Sequence, residues 1–570
     1  MSDPIRAADS IVARLRAHAV QQVFAVAGES YLDVLDALYD AREAIRVVTC
    51  RHEAAAANMA EAVGKLTGRA GVAFVTRGPG LSHAAIGVHT AKQDATPLVL
   101  FVGEISREDR YRHAFQEVDL AITFADLAKG VLQIDLPERA GEIVDRALQL
   151  AEAGRPGPVI VGLPEDVLGL PAAAAGAPAP LQPGARRAAG PGIEAAAVTE
   201  VVARLHAARR PLLWVGGSRW DPAAVAHLRS CAERWHLPVI TGFRRKDLFP
   251  NSHELYAGEA GFGASPGFVQ RLRDADLLLV LGAPLGDVET GGYQWLDRAT
   301  SAARLIHAHP DADTLGAVYP AALALQVAPG ILAAALAAQA PAAPAELPWG
   351  EWTRAARAAQ LAFMQPVEVG GAVNPSQVFR ALRAALPPDA LIANGAGNYA
   401  AWLHRFYAHD AWPTQVAPGS GAMGYAVPAA IAAKLCFPAR EVVCVAGDGC
   451  FLMSCQELAT AAALNLAIVF IVVNNGAYGT IRMHQEMRFP GRRLGTTLTN
   501  PDFVALARAY GLAAWRVTAT ADFDAALAAA RAHPGPGLIE LVTSIEDIAP
   551  GRRLNMAQAD KSVTQIDQPG

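Results

Sequence analysis

Cysteine is scarce and unpatterned. The six residues Cys50, Cys231, Cys436, Cys444, Cys450 and Cys455 have neither the paired spacing of a zinc site nor the density of a secreted disulfide framework. They are expected to be reduced, small buried side chains of a cytoplasmic protein. Long apolar runs are missing too. No stretch approaches the roughly 18 apolar residues of a membrane span, and the opening MSDPIRAADSIVARLRAHAV has no hydrophobic signal core, so neither a span nor secretion is expected. Positive charge is not in excess either. A formal net charge of -5 leaves no basic stripe, which removes the electrostatic support that nucleic-acid binding requires.

What is present is 570 residues of 52% hydrophobic content, enough for about three domains with full cores. Two Pro/Ala-rich stretches read as semi-rigid linkers, 171–192 and 341–355. They separate segments 1–170, 193–340 and 356–548, with a polar tail over 549–570. Each segment alternates short β-branched runs with amphipathic stretches, as in Val72 to Thr76, Leu98 to Val102, Leu212 to Gly216, Leu277 to Gly282 and Val442 to Ala446. The pattern predicts an α/β protein of three doubly wound domains with mainly parallel sheets.

The most specific signal lies in the third segment. Gly447-Asp448-Gly449 follows the apolar run Glu441 to Ala446, and Asn474-Asn475 follows the run Ala467 to Val473, with a helix-favouring stretch Gln456 to Leu464 between them. Both motifs therefore fall at strand C-termini, the edge of a parallel sheet where ligands bind. Glycine there lets main-chain N–H groups approach phosphate oxygens. The Asp448 carboxylate and the Asn475 amide oxygen are hard ligands suited to Mg²⁺ beside a diphosphate. A calcium loop is excluded because Cys450 and Leu452 stand where it needs acidic or amide groups.

This GDG…NN segment resembles the motif of thiamine-diphosphate-dependent enzymes. RHEAAAANMAEAVGKLTGRAGVAFVTRGPG, HAFQEVD, GRPGPVIVGLPEDV, GSGAMGYAVPAAI and NNGAYGTIRMHQE are similar, in order, to signatures of the acetolactate synthase large-subunit branch. The resemblance implies an N-terminal pyrimidine-binding, a central and a C-terminal diphosphate-binding domain. It places Mg²⁺ on Asp448, Asn475 and the main-chain oxygen of Ala477, with diphosphate contacts near Asn398, Tyr399, Gly449 and Cys450. Glu53 occupies the position of the acid that engages N1′ of the cofactor's aminopyrimidine. Gly421 would offer its carbonyl to the 4′-amino group, and Met423 would wedge beneath the bent cofactor. Gln116 aligns with a glutamine that points into the reaction space. Two departures concern the diphosphate: the family usually has serine at the position of Cys450 and a glutamine-histidine pair at Asn398-Tyr399.

The pocket departs further. His484 stands where the branch has tryptophan, Glu29 where it has glycine, and Glu165 where it has lysine, so an acceptor bearing hydroxyl or carbonyl groups is as consistent as pyruvate or 2-oxobutyrate. The His-His pair of simple 2-oxo acid decarboxylases is absent, which leans towards carboligation; His113 reads as a solvated loop residue. Leu281 to Gly291 lacks the arginine and phenylalanine of the family's flavin-contact segment, which argues against bound FAD. The implied reaction joins the acyl unit of a 2-oxo acid to a carbonyl acceptor, in a homodimer or tetramer whose sites pair Glu53 of one subunit with Asp448 of another.

Rival readings stay open: a thiamine-dependent lyase, decarboxylase or C–C hydrolase, a flavin or nicotinamide oxidoreductase, or a silent regulatory subunit. Gly419-Ser420-Gly421-Ala422-Met423-Gly424 formally matches GxGxxG, but its context is not that of a first βα turn. A zincin is excluded, since Ala56 replaces the second histidine of HExxH.

Overall fold

The computed structural model describes residues 5–172, 192–341 and 347–554. The linker expected over 171–192 lies outside the described residues save at its ends. Within the one expected over 341–355, residues 342–346 also lie outside, and the helix Gly350–Phe363 begins inside the span. The tail reading over 549–570 is described only as far as Leu554, which is buried.

Strands form where the apolar runs predict them. The N-terminal sheet holds β1 (Gln22–Ala25), β2 (Arg46–Thr49), β3 (Gly71–Val75), β4 (Leu98–Glu104), β5 (Gly130–Gln133) and β6 (Pro158–Pro164), in the order β2-β1-β3-β4-β6-β5. The middle sheet holds β7 (Pro211–Val215), β8 (Val239–Thr241), β9 (Tyr256–Glu259), β10 (Leu277–Leu281), β11 (Leu305–His309) and β12 (Leu323–Gln326), ordered β12-β11-β10-β7-β8-β9. The third holds β13 (Leu391–Asn394), β14 (Gln415–Val416), β15 (Val442–Gly447), β16 (Ile468–Asn474), β17 (Ala513–Val517) and β18 (Gly537–Val542), ordered β14-β13-β15-β16-β18-β17. Every described ladder between these strands is parallel. Helices cover both faces of such sheets, so β3, β4, β10 and β15 are buried at every position, which is why they read as unbroken apolar runs.

By compactness the chain divides into two units, Met1–Leu237 with Ala275–Trp349, and Pro238–Asp274 with Gly350–Gly570. In the first, the helix Glu53–Thr67 follows β2, and the helix Gly78–Gln93 follows β3. The small residues Ala54 to Ala57 and Gly87 let these helices meet backbone to backbone. A Cβ on Gly87 would stand 2.8 Å from the Ala57 carbonyl carbon and 3.0 Å from Asn58 N. In the second unit, β13 leads outward to β14, and the chain returns on the other side of β13 to form β15. The C-terminal edge between β13 and β15 is thus a topological switch point, where the diverging connections leave a crevice.

All six cysteines are free thiols. Among the described residues no helix is long and apolar enough to cross a membrane.

Candidate active site

Asp448 and Asn475 leave the C-terminal ends of neighbouring parallel strands, Gly447 of β15 lying opposite Val473 of β16. The Asp448 side chain is almost fully buried. Its Oδ1 accepts from Gly449 N–H at 2.9 Å, and its Oδ2 from Gly476 N–H at 2.9 Å and Asn500 Nδ2 at 2.7 Å. Burial pushes its pKa up, against those hydrogen bonds. Asn475 Oδ1 accepts from Ala477 N–H at 3.1 Å. Asn500 also donates to Asn474 Oδ1 at 2.9 Å, while its own Oδ1 is buried with no hydrogen-bond partner. A buried carboxylate held by neutral donors, beside amide oxygens and one orphaned acceptor, is a donor set that fits a small hard divalent cation.

Of the twelve residues expected from sequence to serve catalysis, cofactor or metal, ten line one cavity of about 810 Å³ in the second unit: Asn398, Tyr399, Gly421, Met423, Asp448, Gly449, Cys450, Asn475, Ala477 and His484. Gly421 has φ +70, a left-handed conformation that glycine adopts without strain, and nothing crowds the place where a Cβ would be. Met423 is partly buried against the apolar core behind β13 and β15. His484 is exposed on the helix Gly479–Arg488.

The side chains at the two departures are committed within the chain. Asn398 Oδ1 accepts from Thr480 Oγ1 at 2.8 Å and its Nδ2 donates to the Ile548 carbonyl at 3.0 Å. Tyr399 is buried with its hydroxyl 3.6 Å from Cys450 Sγ, and that sulfur accepts from Gly424 N–H at 3.3 Å. What Asn398, Tyr399 and Cys450 can present to an anion is therefore chiefly main chain.

Glu53 and Gln116 belong to the first unit. Glu53 opens the helix Glu53–Thr67, with His52 as the N-cap whose Nδ1 accepts from Ala54 N–H at 3.1 Å. Its side chain is 12% exposed, and Oε2 lies 2.9 Å from His83 Nδ1. Arg51, two residues before Glu53, donates to the Thr49 carbonyl. Gln116 sits at φ +63 in a turn whose main chain packs on Gly78, lining a small crevice with Arg77 and Glu104. His83 and Asn500 are the two contributors that sequence reasoning missed.

The chain matches three family models: thiamine pyrophosphate enzyme, N-terminal TPP binding domain over residues 5–122, central domain over 198–336, and C-terminal TPP binding domain over 395–541. It is 32% identical to the acetolactate synthase large subunit of Parasynechococcus marenigrum (strain WH8102), over 94% of this chain and 87% of that one. The chain belongs to the thiamine pyrophosphate enzyme family. Within the family it is also 32% identical to the acetolactate synthase large subunit of Corynebacterium glutamicum, over 92% of this chain and 84% of the other. The acetolactate synthase isozyme 1 large subunit of Escherichia coli (strain K12) shares 29%, over 95% and 94%. The chain is thus an acetolactate synthase-like member of a family of thiamine-diphosphate-dependent enzymes, and the GDG…NN segment lies inside the matched C-terminal domain.

Proposed function

We propose that this enzyme is a Mg²⁺-dependent carboligase that decarboxylates a 2-oxo acid and transfers the acyl unit to an aldehyde or ketone. The observation that carries the reading is the buried Asp448 carboxylate, set beside Asn475 at the end of a strand that borders the sheet switch point and lining a cavity with room beyond the two. Asp448, Asn475 Oδ1 and the Ala477 main-chain oxygen would hold Mg²⁺, and main-chain groups of Asn398, Tyr399, Gly449 and Cys450 would meet the diphosphate. When bound, thiamine diphosphate supplies an acidic C2–H and an electron sink beside a carbonyl carbon. Glu53 would share a proton with N1′, Gly421 would meet the 4′-amino group through its carbonyl, and Met423 would pack beneath the rings. Gln116 and His484 would contact the reacting carbonyls, His484 giving the acceptor region a polar side chain.

The relatives named acetolactate synthase support a pyruvate-type donor. We take residues 1–170, 193–340 and 356–548 as the pyrimidine-binding, central and diphosphate-binding domains of a cytoplasmic homodimer or pair of dimers, with no requirement for FAD. The test is a panel of 2-oxo acids, each with and without an aldehyde, given to purified holoenzyme and followed by mass spectrometry. A ligated product that needs both Mg²⁺ and thiamine diphosphate is expected. Release of free aldehyde with no ligated product from any pair would overturn the carboligase reading.

A further inference from the structure

Among the described residues, one group of three metal-ligating side chains has its ligand atoms within 4.8 Å of one another: His52, Glu53 and His83. Their hydrogen bonds show a different arrangement from a metal cradle. His52 Nδ1 already accepts from Ala54 N–H, and His83 Nδ1 lies 2.9 Å from Glu53 Oε2. The two imidazoles stack, with centroids 4.5 Å apart and planes 27° apart, which holds the His83 ring in place over the helix start. The His83 side chain is 53% exposed while that of Glu53 is 12% exposed. In the single subunit His83 thus lies between an enclosed carboxylate and the surface. The other carboxylate oxygen, Oε1, faces Gly80, where even a Cβ would come within 3.2 Å. One oxygen of Glu53 is engaged by His83, and the other is left beside a glycine.

We propose that His83 is a positioning residue for Glu53 that also relays protons between solvent and Glu53 Oε2, leaving Oε1 for the cofactor. The proposal rests on the reading of Glu53 as the acid at N1′. In the inward step a solvent proton binds His83 Nε2 as the Nδ1 proton passes to Glu53 Oε2, and the outward step is the reverse. Only N–H and O–H bonds change. The other titratable groups that face Glu53 are His52 at the start of its own helix and Tyr31 from the turn after β1. Burial pushes the Tyr31 phenol far above neutral pH, and burial with the neighbouring His83 pushes His52 down, while the His52 Nδ1 is already taken by Ala54 N–H.

The test measures exchange of the cofactor's C2–H into D₂O, by proton NMR after acid quench, in holoenzyme carrying His83→Ala or His83→Asn. Asparagine keeps a hydrogen bond to Glu53 but cannot relay. Both variants are expected to bind cofactor normally by calorimetry and to exchange about tenfold or more slowly, within the range of general acid–base effects. Added imidazole is expected to rescue His83→Ala and not His83→Asn. A wild-type rate in His83→Asn, or no rescue of His83→Ala, would overturn the relay. If His83→Ala fails to fold, His83→Asn, which keeps a hydrogen-bonding group near Nδ1, decides alone. In cofactor-free protein, the ¹⁵N signal of His83 Nδ1 is expected to move in Glu53→Gln, and an unmoved signal would remove the hydrogen bond on which the proposal stands. Slow exchange in Glu53→Gln with normal exchange in both His83 variants sinks the relay alone, whereas normal exchange in Glu53→Gln sinks the reading of Glu53 itself.

Discussion

Replacing Asp448 by asparagine separates what this carboxylate does for the fold from the metal-binding role proposed for it. The asparagine would keep one oxygen for Gly449 N–H. Gly476 N–H would lose the carboxylate but retain Asn474 Oδ1 at 3.2 Å, and the bond from Asn500 Nδ2 at 2.7 Å would be the main loss. A lost buried hydrogen bond costs about 1–3 kcal/mol, and removal of a poorly neutralised buried charge offsets some of it. Cofactor-free stability should therefore change by no more than about 2 kcal/mol.

The pH dependence fixes the sign. Burial raises the folded-state pKa of Asp448 above its ordinary 3.8. The stability linked to its protonation is complete below that value and is lost as pH rises through the folded pKa. Cofactor-free wild type should show this loss, and Asp448→Asn should not. Mg²⁺ requires the ionised form, so in wild type the stabilisation by Mg²⁺ and thiamine diphosphate should grow with pH over the same window. At a hundredfold excess over Kd it amounts to about 2.7 kcal/mol, or about 5–10 °C for a cooperative unit of a few hundred residues. Differential scanning fluorimetry with and without both ligands, from acid to neutral pH, reads each quantity. An equal ligand-induced shift in Asp448→Asn at neutral pH would refute the assignment of Asp448 to the metal.

Glu53→Gln should still bind cofactor, with C2–H exchange slowed by about 10²–10⁴-fold; a near-wild-type exchange rate after acid quench would contradict its role. Mixing inactive Glu53→Gln and Asp448→Ala subunits, after dissociation and reassociation, should restore activity in hybrids carrying one intact site. Confirmed hybrids that stay inactive would exclude sites shared between subunits. Gly87→Ala should lower stability to urea by about 1–3 kcal/mol, because the new methyl must push apart the pair of helices that touch at Ala57; an unchanged midpoint and slope would show that the contact yields freely. The purified protein should be colourless, and one yellow flavin per chain would reverse the reading of Leu281 to Gly291.

Much of the fold was legible because parallel strands covered on both faces must be apolar at every position. Val442–Gly447 is buried throughout, and its run was recognised with its start and end one residue early. The stretch read as a helix over Gln456 to Leu464 is instead a 3₁₀ turn, Cys455–Glu457, followed by the helix Leu458–Ala463. A composition favouring helix does not locate a first hydrogen-bonded turn. The side chains of Tyr399 and Cys450 illustrate another limit. Their polar atoms face each other because β13 and β15 are neighbours in space although separate in the chain.

By itself the sequence determined the α/β class, the family and the place of Asp448 and Asn475 at strand ends, since a strand followed by a glycine turn is a local property written in consecutive residues. Tertiary structure alone decided which groups surround them. Asn500 reaches Asp448 from a loop beyond Asn475, and His83 reaches Glu53 from the helix after β3. Neither belongs to a periodic pattern, because periodicity records which face of an element is buried, whereas a hydrogen bond between elements depends on how their ends are brought together. Gly80 and Gly87 are visible in the sequence, but only the packed helices show that the first leaves the room in which Glu53 stands and the second lets the helices close at Ala57.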